Sequence, residues 1–441
     1  MTARAPLVPL LVGALLGLSV PACDRVAEPT GQVLLYVTTD APMGPPDGLF
    51  DRLIVEVIPP GERAPCEGCM RSFAVDDARM AEGRASLGVA VRPGVSGYRA
   101  RVRLYRGGGS ASLTPRVAST LEATVSLPSV GATGIVEATC LLGLATLGKP
   151  QGSVDAPVAS QPGAPAPGVV GSVLRGRPTA CAGEPGEGEV CVPGGASWMG
   201  SPRLDVLDAR EADGRDERVV LVSPFFMDRA EVTVAELRAA KVARVLDDPF
   251  EGDQGRPECL YRAAPSENDG LPVNCLSWQR ADAYCTKVGK RLPTEAEYER
   301  VAGALVSRAY VWGDGLPACD EAVHAADAPC LAPRGPRPAG SGSRDRLVLS
   351  GRTIVDLAGN LREFTQDKFQ RGNEACWGPG LFVDPVCEAG PTEELVPRTV
   401  RGGSYRDEAT LLRSAQRSFV ENERFAVSEL IGFRCARSAK E

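Results

Sequence analysis

Residues 289–299, Gly-Lys-Arg-Leu-Pro-Thr-Glu-Ala-Glu-Tyr-Glu, carry the grammar of a helix start. Thr294 with Glu297 three residues on forms a capping box, in which hydroxyl and carboxylate each satisfy a backbone N–H that the first turn leaves open. Beyond it Tyr298, Val301, Ala302 and Leu305 recur at i, i+3, i+4 and i+7, a spacing that predicts one buried stripe. Two further segments share this grammar. Thr233 with Glu236 is a second capping box, and Ser277 can cap a helix from Trp278 to Val288 that Gly289 stops. The helices are short, and the tracts between them, Gly313 to Gly351 and Arg371 to Pro397, read as irregular loops, a length that compact domains keep for function or hold with disulfides.

Composition agrees with that sparseness. In 441 residues there are 49 Gly and 37 Pro against 5% aromatics, which favours turns and short strands in two to four domains and excludes a helical bundle. Lys and Arg number 49 and Asp and Glu 56, so the net charge of −7 excludes nucleic acid as the main ligand. The single histidine, His324, rules out multi-histidine metal centres. It lies between Cys319 and Cys330 and reads as a surface-loop residue rather than a general base.

The first thirty residues do not read as fold. A mostly apolar run from Leu7 to Val20 is too short to span a bilayer and has the size of a signal h-region, so residues 1–22 are expected to be a signal peptide. Val20-Pro21-Ala22-Cys23 resembles the lipobox of bacterial lipoproteins, which implies acylation of Cys23, anchorage to a bacterial membrane and a tether over 23–30. From 31 to 148, runs at Val33 to Thr39, Leu53 to Ile58, Ala85 to Val91, Tyr98 to Tyr105, Thr120 to Leu127 and Gly134 to Leu142 are strand-like. Arg99, Arg101 and Arg103 alternate with Ala100, Val102 and Leu104, and the set predicts a β-sandwich acting as a stalk. Residues 149–178, rich in Pro, Ala, Gly and Ser, read as a linker before a second domain over 179–441.

Cysteine use supports export. Cys66/Cys69, Cys181/Cys191, Cys259/Cys275, Cys319/Cys330 and Cys376/Cys387 are close enough in sequence to be local staples in an oxidising compartment. A closed loop of about 15 residues is worth roughly 3 kcal/mol in the chain-entropy model. The C-x-x-C spacing at Cys66 and Cys69 leaves a metal as the other reading there. An odd number of cysteines follows Cys23, and Cys140 is the candidate left over.

Several motifs follow in an order that resembles the formylglycine-generating enzyme, or sulfatase-modifying factor, family. They are Pro193 to Ser201, Glu231 to Thr233, Leu271 to Trp278, Ala283 to Cys285, Gly289 to Glu299, Trp312 to Asp314, Asp356 to Glu363, Arg401 to Tyr405 and Gly432 to Cys435. The resemblance implies an α+β, loop-rich variant of the C-type lectin fold. It also implies a disulfide between Cys285 and Cys435. Catalytic members use two cysteines after Arg-Gly-Gly-Ser to hold copper, a soft-ligand requirement. Here Ser404 is followed by Asp407 at the first of these positions and by Glu408, with no cysteine before Cys435. Copper or iron oxidation on known lines is therefore disfavoured. A family calcium site would carry over to the side chains of Asp356 and Glu363 with the carbonyls of Gly359 and Leu361. Arg362 replaces the family's tryptophan beside it.

Trp278 and Trp312 read as core anchors. Arg401, Arg406, Arg413, Arg417 and Arg434 cluster in sequence around the degenerate segment, where they can pair with Asp407 and Glu408 or bind an anion. The reading as a whole is an exported, lipid-anchored protein whose second domain binds an extracytoplasmic peptide or glycan without catalysis. The competing reading is a divergent oxidoreductase of the same family using Asp407 or Glu408 with a metal.

Overall fold

Alternation of apolar and charged residues decides the first half of the chain. The computed structural model describes residues 31–43, 48–75, 84–107, 117–165, 176, 178–201, 217–242, 257–325, 335–371, 374–378, 380–389, 397–421 and 428–439. Seven strands of five to eight residues build the N-terminal unit: β1 (Gln32–Thr39), β2 (Arg52–Ile58), β3 (Met70–Ala74), β4 (Arg84–Ala90), β5 (Arg99–Tyr105), β6 (Thr120–Ser126) and β7 (Ile135–Leu142). Two two-residue strands, β8 (Val158–Ala159) and β9 (Gln161–Pro162), complete it. One sheet has the order β4-β1-β7-β9 and the other β3-β2-β5-β6-β8. Their apolar faces share one core, to which β1 contributes Val33, Leu35 and Val37 and β5 contributes Ala100, Val102 and Leu104. Such burial is worth about 1.5–3 kcal/mol per large aliphatic side chain, which fixes the register because a one-residue slip would expose the whole set.

The expected linker over 149–178 is corrected in its first half. Gln151 N donates to Glu122 O and its own carbonyl accepts from Thr124 N, and β8 and β9 then pair with β6 and β7 respectively. The backbone polar groups of that stretch meet sheet edges, which composition alone does not reveal.

The C-terminal unit is assembled from short pieces. Strands β10 (Glu189–Val192), β13 (Phe225–Asp228) and β21 (Ala436–Ser438) form one sheet, and β11 (Gly195–Met199), β12 (Arg218–Val222) and β17 (Leu381–Val383) a second. Of a hairpin formed by β14 (Arg346–Leu349) and β15 (Arg352–Val355), the first strand lies inside one of the tracts expected to be irregular and the second just past its end, and β17 lies inside the other tract. The sheet nearest the family motifs has the order β19-β18-β16-β20, from β16 (Arg362–Lys368), β18 (Arg398–Arg401), β19 (Ser418–Val420) and β20 (Ile431–Gly432). The three helices are α1 (Val234–Ala240), α2 (Trp278–Lys287) and α3 (Glu295–Ala302), with Thr233, Ser277 and Thr294 capping them as their sequences predict. Leu305 departs from the expected helical stripe. Gly303 ends α3, and Leu305 adopts a left-handed conformation (φ 66°) while still packing against the same core.

The stalk expectation is also corrected. The β11-β12-β17 sheet is buried on both faces: Ala196, Trp198, Val219 and Leu221 belong to the N-terminal core, whereas Met199, Val220 and Val222 belong to a C-terminal one. Trp198 donates its indole N–H to Leu49 O (2.7 Å) and meets Phe50 edge to face at 5.7 Å. Arg106 and Glu217 form an ion pair at 3.1 Å across the same junction. The two units thus share a wall and are not joined by a linker alone. Trp198→Ala is expected to cost about 3–5 kcal/mol in chemical denaturation, because it empties a packed site and strands the Leu49 carbonyl. A chain beginning at residue 179 exposes Trp198, Val219 and Leu221 and should aggregate, which size-exclusion chromatography checks.

Candidate functional site

The helix α3 and strand β18 bring the Thr-Glu-Ala-Glu-Tyr-Glu and Arg-Gly-Gly-Ser-Tyr motifs together through buried charge. The Arg401 guanidinium is fully buried and donates to Glu295 Oε1 (3.1 Å), to Glu299 and to the Ser414 carbonyl (2.6 Å). Arg417 donates to both oxygens of Glu295 at 2.5 and 3.0 Å. Burial opposes ionisation of Glu295, but Arg417 and Arg401 outweigh it and hold its carboxyl below the usual range. The glycines that follow are dictated by approach as well as by φ. At Gly402 (φ 89°) a Cβ would strike the Tyr298 hydroxyl, and at Gly403 (φ 72°) the Leu412 side chain.

Past that turn lies Asp407, the position expected to depart from the family pattern. Asp407 is buried and its Oδ2 accepts from Ser404 N and Ser404 Oγ, both at 2.7 Å. Arg362 donates Nε to Oδ2 (2.8 Å) and Nη2 to Oδ1 (2.5 Å), a two-pronged ion pair. The two departures from the family pattern, Arg362 and Asp407, therefore meet each other. The pocket beside them, lined by Arg362, Gly402, Gly403, Leu411, Gln416 and Ser418, is only about 20 Å³. Glu408 is exposed and makes no capping bond at the short 3-10 turn that follows it. Among the described residues Cys140 is the one free cysteine, and it is buried in the N-terminal core.

The expected arginine cluster is corrected accordingly. Arg406 pairs with Glu429 (2.9 Å), Arg434 with Glu363, and Arg401 and Arg417 with Glu295, while Arg413 faces the Tyr310 hydroxyl. Asp407 takes its cation from Arg362 instead. His324 is corrected too: it is buried, with Nδ1 2.7 Å from Ala325 O, and Ala325 N donates to Asp407 O.

The turn from Asp356 to Glu363 is a buried, charged corner. Glu363 receives Arg434 Nε and Nη2 at 2.7 Å each and the Tyr298 hydroxyl at 3.2 Å. Arg434 Nη2 also donates to the carbonyls of Val355 and Asp356. Asp356 Oδ2 accepts from Gly340 N (2.7 Å). Two residues not singled out as site residues complete the corner. Glu231 accepts from Asn360 Nδ2 (2.7 Å) and Leu361 N (3.0 Å), and Asp345 accepts from Leu357 N and Ala358 N. Glu231 and Asn360 lie in the quoted motifs, but only the fold reveals that they touch. Burial raises all four carboxyls, helped by their neighbours' charge: Asp345 to about 7, Asp356 to about 6, and Glu231 and Glu363 above their usual values. Four carboxyls around one guanidinium are short of positive charge. The donors are hard oxygens, the ligand type that a calcium ion takes. Among the described residues no three His, Cys, Asp or Glu side chains converge as a metal cluster, so such an ion would lean on the Gly359 and Leu361 carbonyls.

Disulfides join Cys66 to Cys69, Cys181 to Cys191, Cys259 to Cys275, Cys285 to Cys435 and Cys376 to Cys387. The bond at Cys66 removes the metal reading of that C-x-x-C. Cys319 is disulfide-bonded, while Cys330, its expected partner, and Cys23 lie outside the described residues. Trp278 donates to Thr365 O (2.7 Å) under the Arg398 guanidinium, 3.5 Å from its ring, and Trp312 stacks on Tyr310 at 4.8 Å.

Comparison with known proteins agrees with this geometry. A family model described as "Sulfatase-modifying factor enzyme 1-like domain" matches residues 176–439. The formylglycine-generating enzyme of Thermomonospora curvata is 29% identical over 263 residues, 50% of this chain and 82% of that protein. The inactive C-alpha-formylglycine-generating enzyme 2 of Mus musculus is 26% identical over 297 residues, 57% of this chain and 85% of that one. Among solved structures, PvdO from Pseudomonas aeruginosa superposes with a TM-score of 0.42 at 23% identity, covering 57% of this chain and 94% of its own.

Two outcomes follow from the buried charge. Arg401→Met should lower stability by about 3–5 kcal/mol in denaturant titration, since Glu299 loses its cation. Asp367 accepts from Glu295 N and Cys387 N, and burial, then the Glu295 charge, pushes its carboxyl up to about 7 from 3.8. A raised folded value means the folded state holds the proton more tightly. Its contribution is therefore present below about pH 4 and lost as pH rises toward 7. The fall in melting temperature between pH 5 and 8 should be smaller in Asp367→Asn than in the wild type.

Proposed function

The chain belongs to the sulfatase-modifying factor family through residues 176–439, and from that premise we propose that its C-terminal unit is a non-catalytic binding module. The observation that carries this is the Arg362–Asp407 ion pair. A carboxylate held by a two-pronged guanidinium and by the N–H and hydroxyl of Ser404 is committed to partners within the chain, and an oxygen ligand does not replace a thiolate for Cu(I). The small pocket leaves no room there for a substrate cysteine, so a ligand would lie over the surface. Phe419, exposed and stacked on Phe369 at 4.4 Å, offers an aromatic patch of the kind that receives a peptide or glycan.

On this reading the N-terminal unit is a β-sandwich and the C-terminal unit a variant of the C-type lectin fold. Five disulfides among the described residues fit an extracellular protein, and no described helix is long and apolar enough to cross a membrane. Acylation of Cys23 supplies the anchor in this proposal. Asp356 and Glu363, with the Gly359 and Leu361 carbonyls, would hold a calcium ion that supplies positive charge to the buried corner and stiffens the turn under β16.

The test is metal analysis of the purified, full-length protein together with incubation on a cysteine-containing peptide. No stoichiometric copper or iron and no aldehyde are expected, and either one would establish the oxidoreductase instead. Calcium should raise the melting temperature of the wild type and leave Asp356→Ala unshifted; equal behaviour of the two would remove the ion.

A further inference from the structure

A groove lies in the N-terminal unit, lined by none of the residues of the Arg362–Asp407 site. It measures about 930 Å³ and runs between the β2–β3 edge of one sheet and β4 of the other. Val57, Val89, Pro60 and Tyr98 line it, and the Cys66–Cys69 disulfide borders it. We propose that Cys66–Cys69 is a thiol–disulfide exchange site that accepts an extended, cysteine-containing polypeptide lying in this groove.

Three features set this bond apart. Its sequence separation is 3, against 10, 11, 16 and 150 for the other bonds with both ends among the described residues, so of these it restricts the unfolded chain least and can open at the smallest loss of stability. The loop does not need the bond to keep its shape: Cys69 N donates to Cys66 O (2.9 Å), and the Cys69 carbonyl accepts from Val57 N (3.0 Å). Both cysteines are half-exposed, and the exposed Arg71 guanidinium is tied back to the loop, donating to Gly68 O (2.5 Å) and Met70 O (3.0 Å). Positive charge there favours the thiolate that leaves when the bond is attacked.

Cys69 packs against the core, so Cys66 is the sulfur open to attack. A polypeptide thiolate bonds to Cys66 Sγ, the Cys66–Cys69 bond breaks, and Cys69 leaves as a thiolate that takes up a proton. A second thiol of the polypeptide then attacks the mixed disulfide, releasing Cys66. Two electrons and two protons pass from the polypeptide dithiol, now a disulfide, to the chain, and no other oxidant enters. The neighbouring strand β3 has every residue exposed, including Met70 and Phe73, and gives an extended chain a free edge to pair with.

The intact protein is equilibrated in glutathione buffers, alkylated, and each cysteine peptide read by mass spectrometry. Cys66 and Cys69 should open at a ratio of reduced to oxidised glutathione at least about tenfold lower than the other four bonds need, with unchanged circular dichroism. Cys69→Ser should trap a mixed disulfide with an apolar decapeptide bearing one cysteine. Tyr98→Lys in that background should slow peptide capture at least about fivefold while leaving glutathione capture unchanged. Reduction of all five bonds together with unfolding overturns the proposal, and so does capture of the peptide at the same rate with and without Tyr98. The double variant Cys66→Ser/Cys69→Ser, expected to melt close to the wild type, establishes that the loop folds without the bond; a large loss there makes the bond structural and also overturns it.

Discussion

The C-terminal unit depends on a buried exchange of charge between α3 and the strands around it. Glu295 and Glu299 lie on successive turns of the helix, and Arg401 and Arg417 reach them from β18 and from the loop before β19. Removing such ions from water costs several kcal/mol each, and mutual pairing offsets that only if every donor and acceptor is placed. The arrangement therefore admits one mutual position of helix and sheet. The Gly402-Gly403 turn follows from it, since the chain leaving Arg401 must pass close to Tyr298 and Leu412.

The same logic applies where this chain departs from the family's motif. At the surface end of the network, Arg362 and Asp407 form a pair that satisfies both, and Ser404 donates to the same carboxylate. A buried aspartate in place of a thiol would be costly alone. With the arginine from β16 beside it, the pocket closes on itself and the fold is kept. The Cys285–Cys435 bond meanwhile ties α2 to the chain just before β21, across a separation of 150 residues.

Much of this was legible in the sequence because it was local. Capping boxes at Thr233 and Thr294 act within three residues, and the alternation around Arg101 states which side of β5 is buried. The ordered motifs identified the family. What escaped was non-local: residues 149–162 looked like a linker because Pro, Gly and Ser carry no periodicity, yet they join both sheets. His324 looked like a loop residue, and only the pairing of Ala325 with the 407 segment buries it. The partner of Asp407 was misread because Arg406 and Arg413 are near in sequence while Arg362 is near in space. The double duty of β11 and β12 has no sequence signal, since a strand buried on both faces does not alternate.

The segment carrying β8 and β9 has a further consequence for how copies of this protein can meet. Each of those strands is two residues long, one ends in Pro162, and together they blunt one margin of each N-terminal sheet. The opposite margins, β3 and β4, remain as long strands. Each sheet can therefore grow in only one direction, so edge-to-edge association of copies has to run through β3 or β4 and not through the margins that the two short strands close.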